Sequence, residues 1–429
     1  MRIGLTNTHT YDTNSGMGTI VNHDKIPIDT TYMIRRKHIA TYAAEWCIIP
    51  TPPSQVWASR SNVTSALLRE AIPLLLAVGA FPMSAFGLDV TFTTLTPETA
   101  SAAAAAAVNG SCQGGTFYTG GQSHPALWFG SAASCVDLTP PGATGGDVFA
   151  VSGSQQGGRV TVDGHFHAAV WSGSAASFVD LHPSGATKSS LNAVTATQQG
   201  GVVFVGDITR AGLWTGSSAS YVDLTPAGAS QAEINAMSGS VQAGSAFIAS
   251  HNHAGLWAGT ADSFLDLNPE GALASNAYGY DGSHEVGYAA FGGTPHAALW
   301  SDTAESFVDL NGSCSLSAAF AVSESWQVGY FLNGKSAQAA LWNGTAESLI
   351  NLTSYLGPDY DTAEAIGVWS DGNTVYIAGE ASGPSVNSQA ILWTVNVPEP
   401  KSSSLALVVV GGTAILFARE RSRRKSLFG

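Results

Sequence analysis

The sequence predicts an all-β fold, a seven-bladed β-propeller of four-stranded repeats. Three observations predict it. Tryptophan recurs at Trp128, Trp171, Trp214, Trp257, Trp300, Trp342 and Trp393, with spacings of 43, 43, 43, 43, 42 and 51 residues. Nine residues after each of the first six stands Asp137, Asp180, Asp223, Asp266, Asp309 or Asn351, each followed by leucine in Phe-Val-Asp-Leu-like text. Between these marks lie short runs rich in β-branched residues, punctuated by Gly, Ser and Pro. A fixed period of this length signals a repeat architecture, and such runs are strand and turn text.

One unit justifies the strand count. Its four runs are 192–195, 201–205, 211–214 and 221–224, separated by Gln199-Gly200-Gly201, Thr215-Gly216-Ser217 and Thr225-Pro226-Ala227-Gly228. Four strands in such a repeat match a propeller blade, and no 3.6-residue period supports helical repeats. The ends of the array fit together. Trp393 has no Phe-Val-Asp-Leu strand after it, whereas Phe92-Thr93-Thr94-Leu95 has that text with no tryptophan before it, in register with Leu138. The N-terminal strand is therefore expected to complete the last blade and close the ring, removing exposed sheet edges. An open solenoid with capped ends is the competing architecture.

The flanks differ from this body. The chain of 429 residues carries 17 Lys+Arg and 31 Asp+Glu, a net charge of −14. Residues 88–400 hold only Arg159, Lys188, Arg210 and Lys335 against 25 acids, a net of 4 − 25 = −21. So acidic a body is a poor partner for nucleic acid, whose phosphates need Lys and Arg. Upstream, Leu67-Leu68-Arg69-Glu70-Ala71-Ile72-Pro73-Leu74-Leu75-Leu76-Ala77-Val78-Gly79-Ala80 precedes Ser84-Ala85-Phe86-Gly87. A basic residue, a short apolar run and an Ala-x-Gly end read as a secretory signal over 63–87, cut after Gly87. A buried helix is the alternative. A signal beginning so far into the chain points to translation starting near Val63 or Leu67, with residues 1–62 an extended or misassigned leader. The repeat domain then runs over 88–396, and 397–429 form a terminal segment.

Several repeated columns invite chemistry. Four residues before each tryptophan stand His124, His167, Arg210, His253, His296, Gln338 and Gln389. A metal needs several ligands on one ion, and a repeat places one per blade, so these are expected to bridge a strand end to a neighbouring blade. The aspartate column is expected to hold buried carboxylates that accept backbone N–H bonds in tight turns, in preference to calcium, which needs six or more gathered oxygens. The tryptophans are expected to pack between blades. His165 with His167 shares one strand face and is a weak metal signal.

Function is sought where the repeat breaks. The last unit inserts Tyr355-Leu356-Gly357-Pro358-Asp359-Tyr360-Asp361 and a loop at 382–387. Tyr355, Asp359, Tyr360 and Asp361 are the candidate ligand-binding residues, for a sugar or a cation such as Ca²⁺, and paired carboxylates also suit glycoside cleavage. An acidic surface loop is the plain alternative. No catalytic motif and no dinucleotide or phosphate fingerprint appears, so no catalytic residue and no cofactor are assigned. Cys112 and Cys135 fall in one unit and are candidates to pair after export; Cys314 is left over. Asn-Gly at 109, 311 and 343 is read as turn chemistry although it falls within sequons.

At the C-terminus, Val397-Pro398-Glu399-Pro400 leads through a serine run to an apolar stretch at 405–418. Arg419, Arg421, Arg423, Arg424 and Lys425 follow. The stretch is short for a span of about 20 residues, but flanking serine and snorkelling arginine extend it. The basic end is expected to stay cytoplasmic. This combination resembles the PEP-CTERM sorting signal of Gram-negative bacteria. The resemblance implies export across the inner membrane, a single transmembrane helix, and processing near Pro398-Glu399-Pro400 by an exosortase-like membrane enzyme. It further implies delivery to the cell surface or an exopolysaccharide matrix. The His-Ala-Ala-Leu-Trp and Val-Asp-Leu units also resemble HAF-type extracellular repeats, which imply no defined activity; Arg210, Gln338 and Gln389 depart from their histidine.

The expected function is a non-enzymatic binding or structural role at the cell surface, with polysaccharide or a surface protein as partner. The alternatives are a secreted glycan hydrolase or lyase using non-repeated carboxylates, and a protein-assembly scaffold.

Overall fold

In the computed structural model the described residues are 88–397. The proposed leader and signal, the Pro398-Glu399-Pro400 motif, the terminal apolar stretch and its basic end lie outside them. Among the described residues no helix is long and apolar enough to cross a membrane.

The described residues form seven four-stranded antiparallel sheets and contain no α-helix. From the centre outward, blade 1 comprises Ala102–Asn109, Cys112–Thr119, Gln122–Trp128 and Val136–Asp137. Blades 2 to 6 repeat this order over 146–180, 188–223, 231–266, 274–309 and 317–351. Blade 7 contributes Thr362–Ser370, Thr374–Gly383 and Val386–Asn396, and takes Asp89–Thr94 as its fourth strand. That pairing runs from Asp89 opposite Asn396 to Thr94 opposite Ile391. Blades 1 and 7 also touch through Asn387, whose Nδ2 donates to Ser101 O at 3.1 Å.

The blade differs from its sequence expectation at the rim. The expected fourth run of the third unit shrinks to Val222–Asp223, and a 3₁₀ turn at Ser218–Ser220 precedes it. The hydroxyl of Ser220 explains the turn: it accepts from Thr215 N at 2.8 Å and donates to Ser217 O at 2.6 Å. Such local hydroxyl bonds compete with strand pairing. The same serine bonds recur at Ser134, Ser177, Ser263, Ser306 and Ser348.

All seven repeat tryptophans are at most 1% exposed. Each joins a cluster shared by adjacent blades, as Trp214 does with Leu181 and Leu191 of the blade 2–3 junction. Full burial of a large apolar side chain contributes about 1.5–3 kcal/mol, so this ring helps to hold adjacent blades together. An aromatic seven residues on packs against four of the indoles, at centroid separations of 6.1 Å for Phe178, 5.4 Å for Tyr221, 4.9 Å for Phe264 and 5.9 Å for Phe307.

Every inner strand carries one extra residue. The register slips between 105 and 107, 148 and 150, 191 and 193, 234 and 236, 277 and 279, 319 and 321, and 365 and 367. Opposite each bulge the second strand has a glycine, from Gly115 to Gly379. A Cβ there would overlap an inner-strand carbonyl, that of Ser190 in the case of Gly201.

Candidate functional site

The aspartate column performs the expected turn function. Oδ1 of Asp137, Asp180, Asp223, Asp266 and Asp309 accepts the backbone N–H two residues on, at 2.8 Å in every case. These carboxylates are not buried, however; their side chains are 41–45% exposed, because the two-residue outer strand leaves them at the rim. The histidines do not bridge blades. His124, His167, His253 and His296 place Nδ1 at 2.7–2.9 Å from Oδ2 of the aspartate in their own blade, since the third and fourth strands are neighbours. Arg210 makes a looser pair with Asp223 at 3.9 Å. Gln338 accepts from Asn351 Nδ2 at 3.3 Å in blade 6.

Blade 2 adds a second imidazole. His182 stacks on His167 with ring centroids 4.0 Å apart and planes 9° from parallel. Parallel stacked rings direct their nitrogens edgewise, away from a shared ion. His182 Nδ1 lies 2.8 Å from Ser189 Oγ and Nε2 lies 3.2 Å from Ala186 O. Burial lowers its pKa, and the charges of His167 and His165 add to that. Among the described residues no group of three or more His, Cys, Asp or Glu is placed to hold a metal.

The four candidate residues of the last unit separate. Tyr355 is 41% exposed and ends a 3₁₀ turn at Leu352–Tyr355. Tyr360 turns inward against the blade 6–7 core and meets Phe92 edge-on at 6.4 Å. Burial raises its pKa, with Asp359 adding to the shift. The backbone of Asp361 is fixed at both ends: its N–H donates to Ser382 O at 3.1 Å and its carbonyl accepts from Gln338 Nε2 at 2.9 Å. The insertion thus packs on the loop at 382–387. Cys112, Cys135 and Cys314 are free thiols. Cys112 joins the blade 1–2 cluster and Cys135 the cluster shared with blade 7, so these two candidates are not paired.

A different set of non-repeated residues gathers along the inner strands. A cavity of about 180 Å³ lies on the axis, lined at the bulges by Ala106, Phe149, Asn192, Asn235, Tyr278, Phe320 and Ile366. Two positions earlier the column reads Ala104, Asp147, Ser190, Glu233, Asn276, Ala318 and Glu364. In blade 2, Arg159 Nε binds Asp147 Oδ2 at 2.7 Å with both groups buried. Its guanidinium lies 3.9 Å from the centre of the Phe166 ring. Thr116 of blade 1 donates to Asp147 Oδ1 at 2.9 Å. Removing one partner of so buried a pair costs about 3–5 kcal/mol.

Blades 4 and 5 share an amide network. Asn276 Nδ2 donates to Glu233 Oε1 at 2.7 Å, and Asn235 Nδ2 donates to Asn276 Oδ1 at 3.0 Å. Tyr278, Phe320, Tyr288 and Tyr330 form an aromatic arc with centroid separations of 5.5–5.8 Å. In blade 7, Glu364 and Glu380 are direct cross-strand partners, both under 10% exposed. Ser388 donates to Glu380 Oε2 at 2.8 Å.

Sequence reasoning missed this set because it looked where the repeat length breaks. The signal was a column whose chemistry changes from blade to blade while its spacing holds.

No family model and no curated protein matches the chain. Three solved structures show the extent of structural likeness. The β-propeller domain of the Trilobed protease from Pyrococcus furiosus is 9% identical, with 68% of this chain and 95% of that one covered and a TM-score of 0.46. Puromycin hydrolase is 10% identical over 70% of this chain, with a TM-score of 0.43; the match spans 53% of that enzyme's length. Oligogalacturonate lyase from Vibrio parahaemolyticus is 11% identical, with 73% and 99% covered and a TM-score of 0.44. The propeller assignment rests on this chain's own strand order, and these likenesses add no activity to it.

Proposed function

We propose that the protein is an exported propeller that binds polysaccharide or a surface protein through the axial face of its ring, without catalysis. One observation carries the reading. The seven blades vary in chemistry along the inner-strand column that lines the axial cavity, Ala106, Phe149, Asn192, Asn235, Tyr278, Phe320 and Ile366. Rigid repeats bearing one variable column suit recognition of a neutral, hydroxyl-rich chain, because amides and aromatic faces both contact sugars favourably. The acidity of the body disfavours anionic partners and favours solubility outside a cell.

In this reading the signal is cut after Gly87 and the N-terminal strand then locks the ring. The terminal segment holds the domain at the inner membrane until an exosortase-like enzyme acts near Pro398-Glu399-Pro400 and releases it to the matrix. A glycan array on residues 88–397, with and without Ca²⁺, tests the binding role. The expected result is binding to a neutral glycan that is lost in Asn235→Ala and Asn276→Ala. Absence of any glycan binding removes the polysaccharide reading.

The second reading, a glycan hydrolase or lyase, is favoured by the Glu364–Glu380 pair, since two adjacent carboxyls are the usual acid–base apparatus of glycoside cleavage. Release of new reducing ends from a bound glycan, abolished by Glu380→Gln, would establish it in place of the first.

A further inference from the structure

We propose that Glu285 is an uncharged carboxylic acid in the folded protein at neutral pH, standing in for a glutamine, and that this makes blade 5 sensitive to alkali. The argument begins with the other blades. Gln113, Gln156, Gln199, Gln242 and Gln327 occupy the second-strand position opposite the repeat tryptophan. Each accepts through Oε1 from a backbone N–H of the turn after that tryptophan, at 2.7–2.9 Å. The amide's other end donates. Nε2 of Gln156, Gln242 and Gln327 reaches the carbonyl two residues earlier, that of Ser154, Ser240 or Ser325, at 2.7–3.0 Å. In blade 3, Gln199 donates instead to Gln155 Oε1 at 3.1 Å.

Blade 5 has Glu285 at this position, opposite Trp300. Oε2 accepts from Asp302 N at 3.0 Å, which reproduces the acceptor half of the glutamine. Oε1 is buried and has no partner. A carboxylate here would hold a buried charged oxygen with no hydrogen-bond partner; a carboxylic acid removes that charge while Oε2 keeps its bond from Asp302 N. Burial of the unpaired oxygen therefore favours the protonated form.

The surroundings work the same way. Glu285 is 0% exposed. Its register partners Trp300 and Tyr280 belong to an apolar cluster that includes Val241 of blade 4. The nearby charged and titratable groups are Asp302, Asp281, His284 and Tyr280. Asp302 replaces the glycine of the other turns and holds φ of +64°, so blade 5 sets a second acid beside the first. His284 pairs loosely with Asp281 at 3.7 Å and offers only partial relief. Burial pushes the Glu285 carboxyl up and the Asp302 charge adds to this, against the pull of two backbone N–H groups and His284.

The sign of the pH effect follows. The unfolded chain releases this proton near pH 4.5, while the folded protein keeps it to higher pH. Between the two values the folded state binds more protons, so stability falls as pH rises. Glutamine at this position has no proton to lose.

The test compares thermal unfolding of the full chain and its Glu285→Gln variant from pH 4.5 to pH 9. The expected result is a midpoint several degrees higher for Glu285→Gln at pH 8–9, with the gap closing toward pH 4.5. A gap that is constant with pH, or a variant less stable at pH 8, overturns the proposal. A direct measurement stands beside it. The carboxyl carbon resonance of Glu285, identified by its loss in Glu285→Gln, should titrate above pH 7; titration below pH 7 also overturns the proposal.

Discussion

At the residue scale, a repeat dictates the hydrogen-bond pattern of each site, and a non-consensus side chain must imitate the one it replaces. His182 shows this for an amide. Asn268 and Asn311 at the equivalent positions accept from Ser275 and Ser317 through Oδ1 and donate through Nδ2 to the carbonyls of Ala272 and Cys314. Neutral His182 makes the same two bonds through Nδ1 and Nε2. An unfolded histidine takes a proton near pH 6.5, whereas burial holds His182 neutral to lower pH. The unfolded state therefore binds more protons on the acid side, and stability falls as pH drops below about 6.5. The variant His182→Asn is expected to lose less stability than the parent between pH 7.5 and pH 5, measured as the shift in urea midpoint. The aspartate turns were legible in the sequence because their column is constant. Glu285 and the axial residues were not, because each occurs once and gains meaning only when blades are overlaid.

At the scale of the blade, the four-strand unit was legible from turn residues and β-branched runs. Its outer strand was overestimated, since the Ser hydroxyl that folds the preceding turn has no period of its own. The inner bulge was also invisible in the sequence, although its signature is present. The glycines at 115, 158, 201, 244, 287, 329 and 379 face the inner strand where its carbonyl comes too close for any Cβ. A bulge shifts one backbone toward its partner, and glycine is what allows the approach. Gly201→Ala is expected to destabilise the protein by about 1–3 kcal/mol through overpacking, read from the urea midpoint. The same substitution at Gly206, in an exposed turn with no neighbour within 4 Å of a Cβ, meets only the backbone strain of its φ of +62° and is expected to cost less.

For the whole molecule, the tryptophan register made the blade count legible, and the two incomplete end units pointed to their pairing. The charge split between body and flanks was equally plain, because it needs only counting. Residues 89–94 supply blade 7 with its outer strand, and Leu95 is buried in the blade 7–1 cluster. Deleting residues 88–95 from the domain 88–397 is expected to lower its thermal midpoint and to promote association through the bared edge of Val386–Asn396. Size-exclusion chromatography and thermal unfolding check this; an unchanged monomer with an unchanged midpoint would contradict it.

The strand Val386–Asn396 is held on both flanks, by Thr374–Gly383 and by Asp89–Thr94. Its last residue sits beside Asp89, joined to it by Asn396 Nδ2 at 2.9 Å, so both described ends of the chain leave at one corner. This makes the domain mechanically anisotropic. Tension entering at Val397 along the strand is shared by two ladders at once and loads their bonds in shear. Tension that draws the two chain ends apart instead peels the first strand away one residue pair at a time, at far lower force.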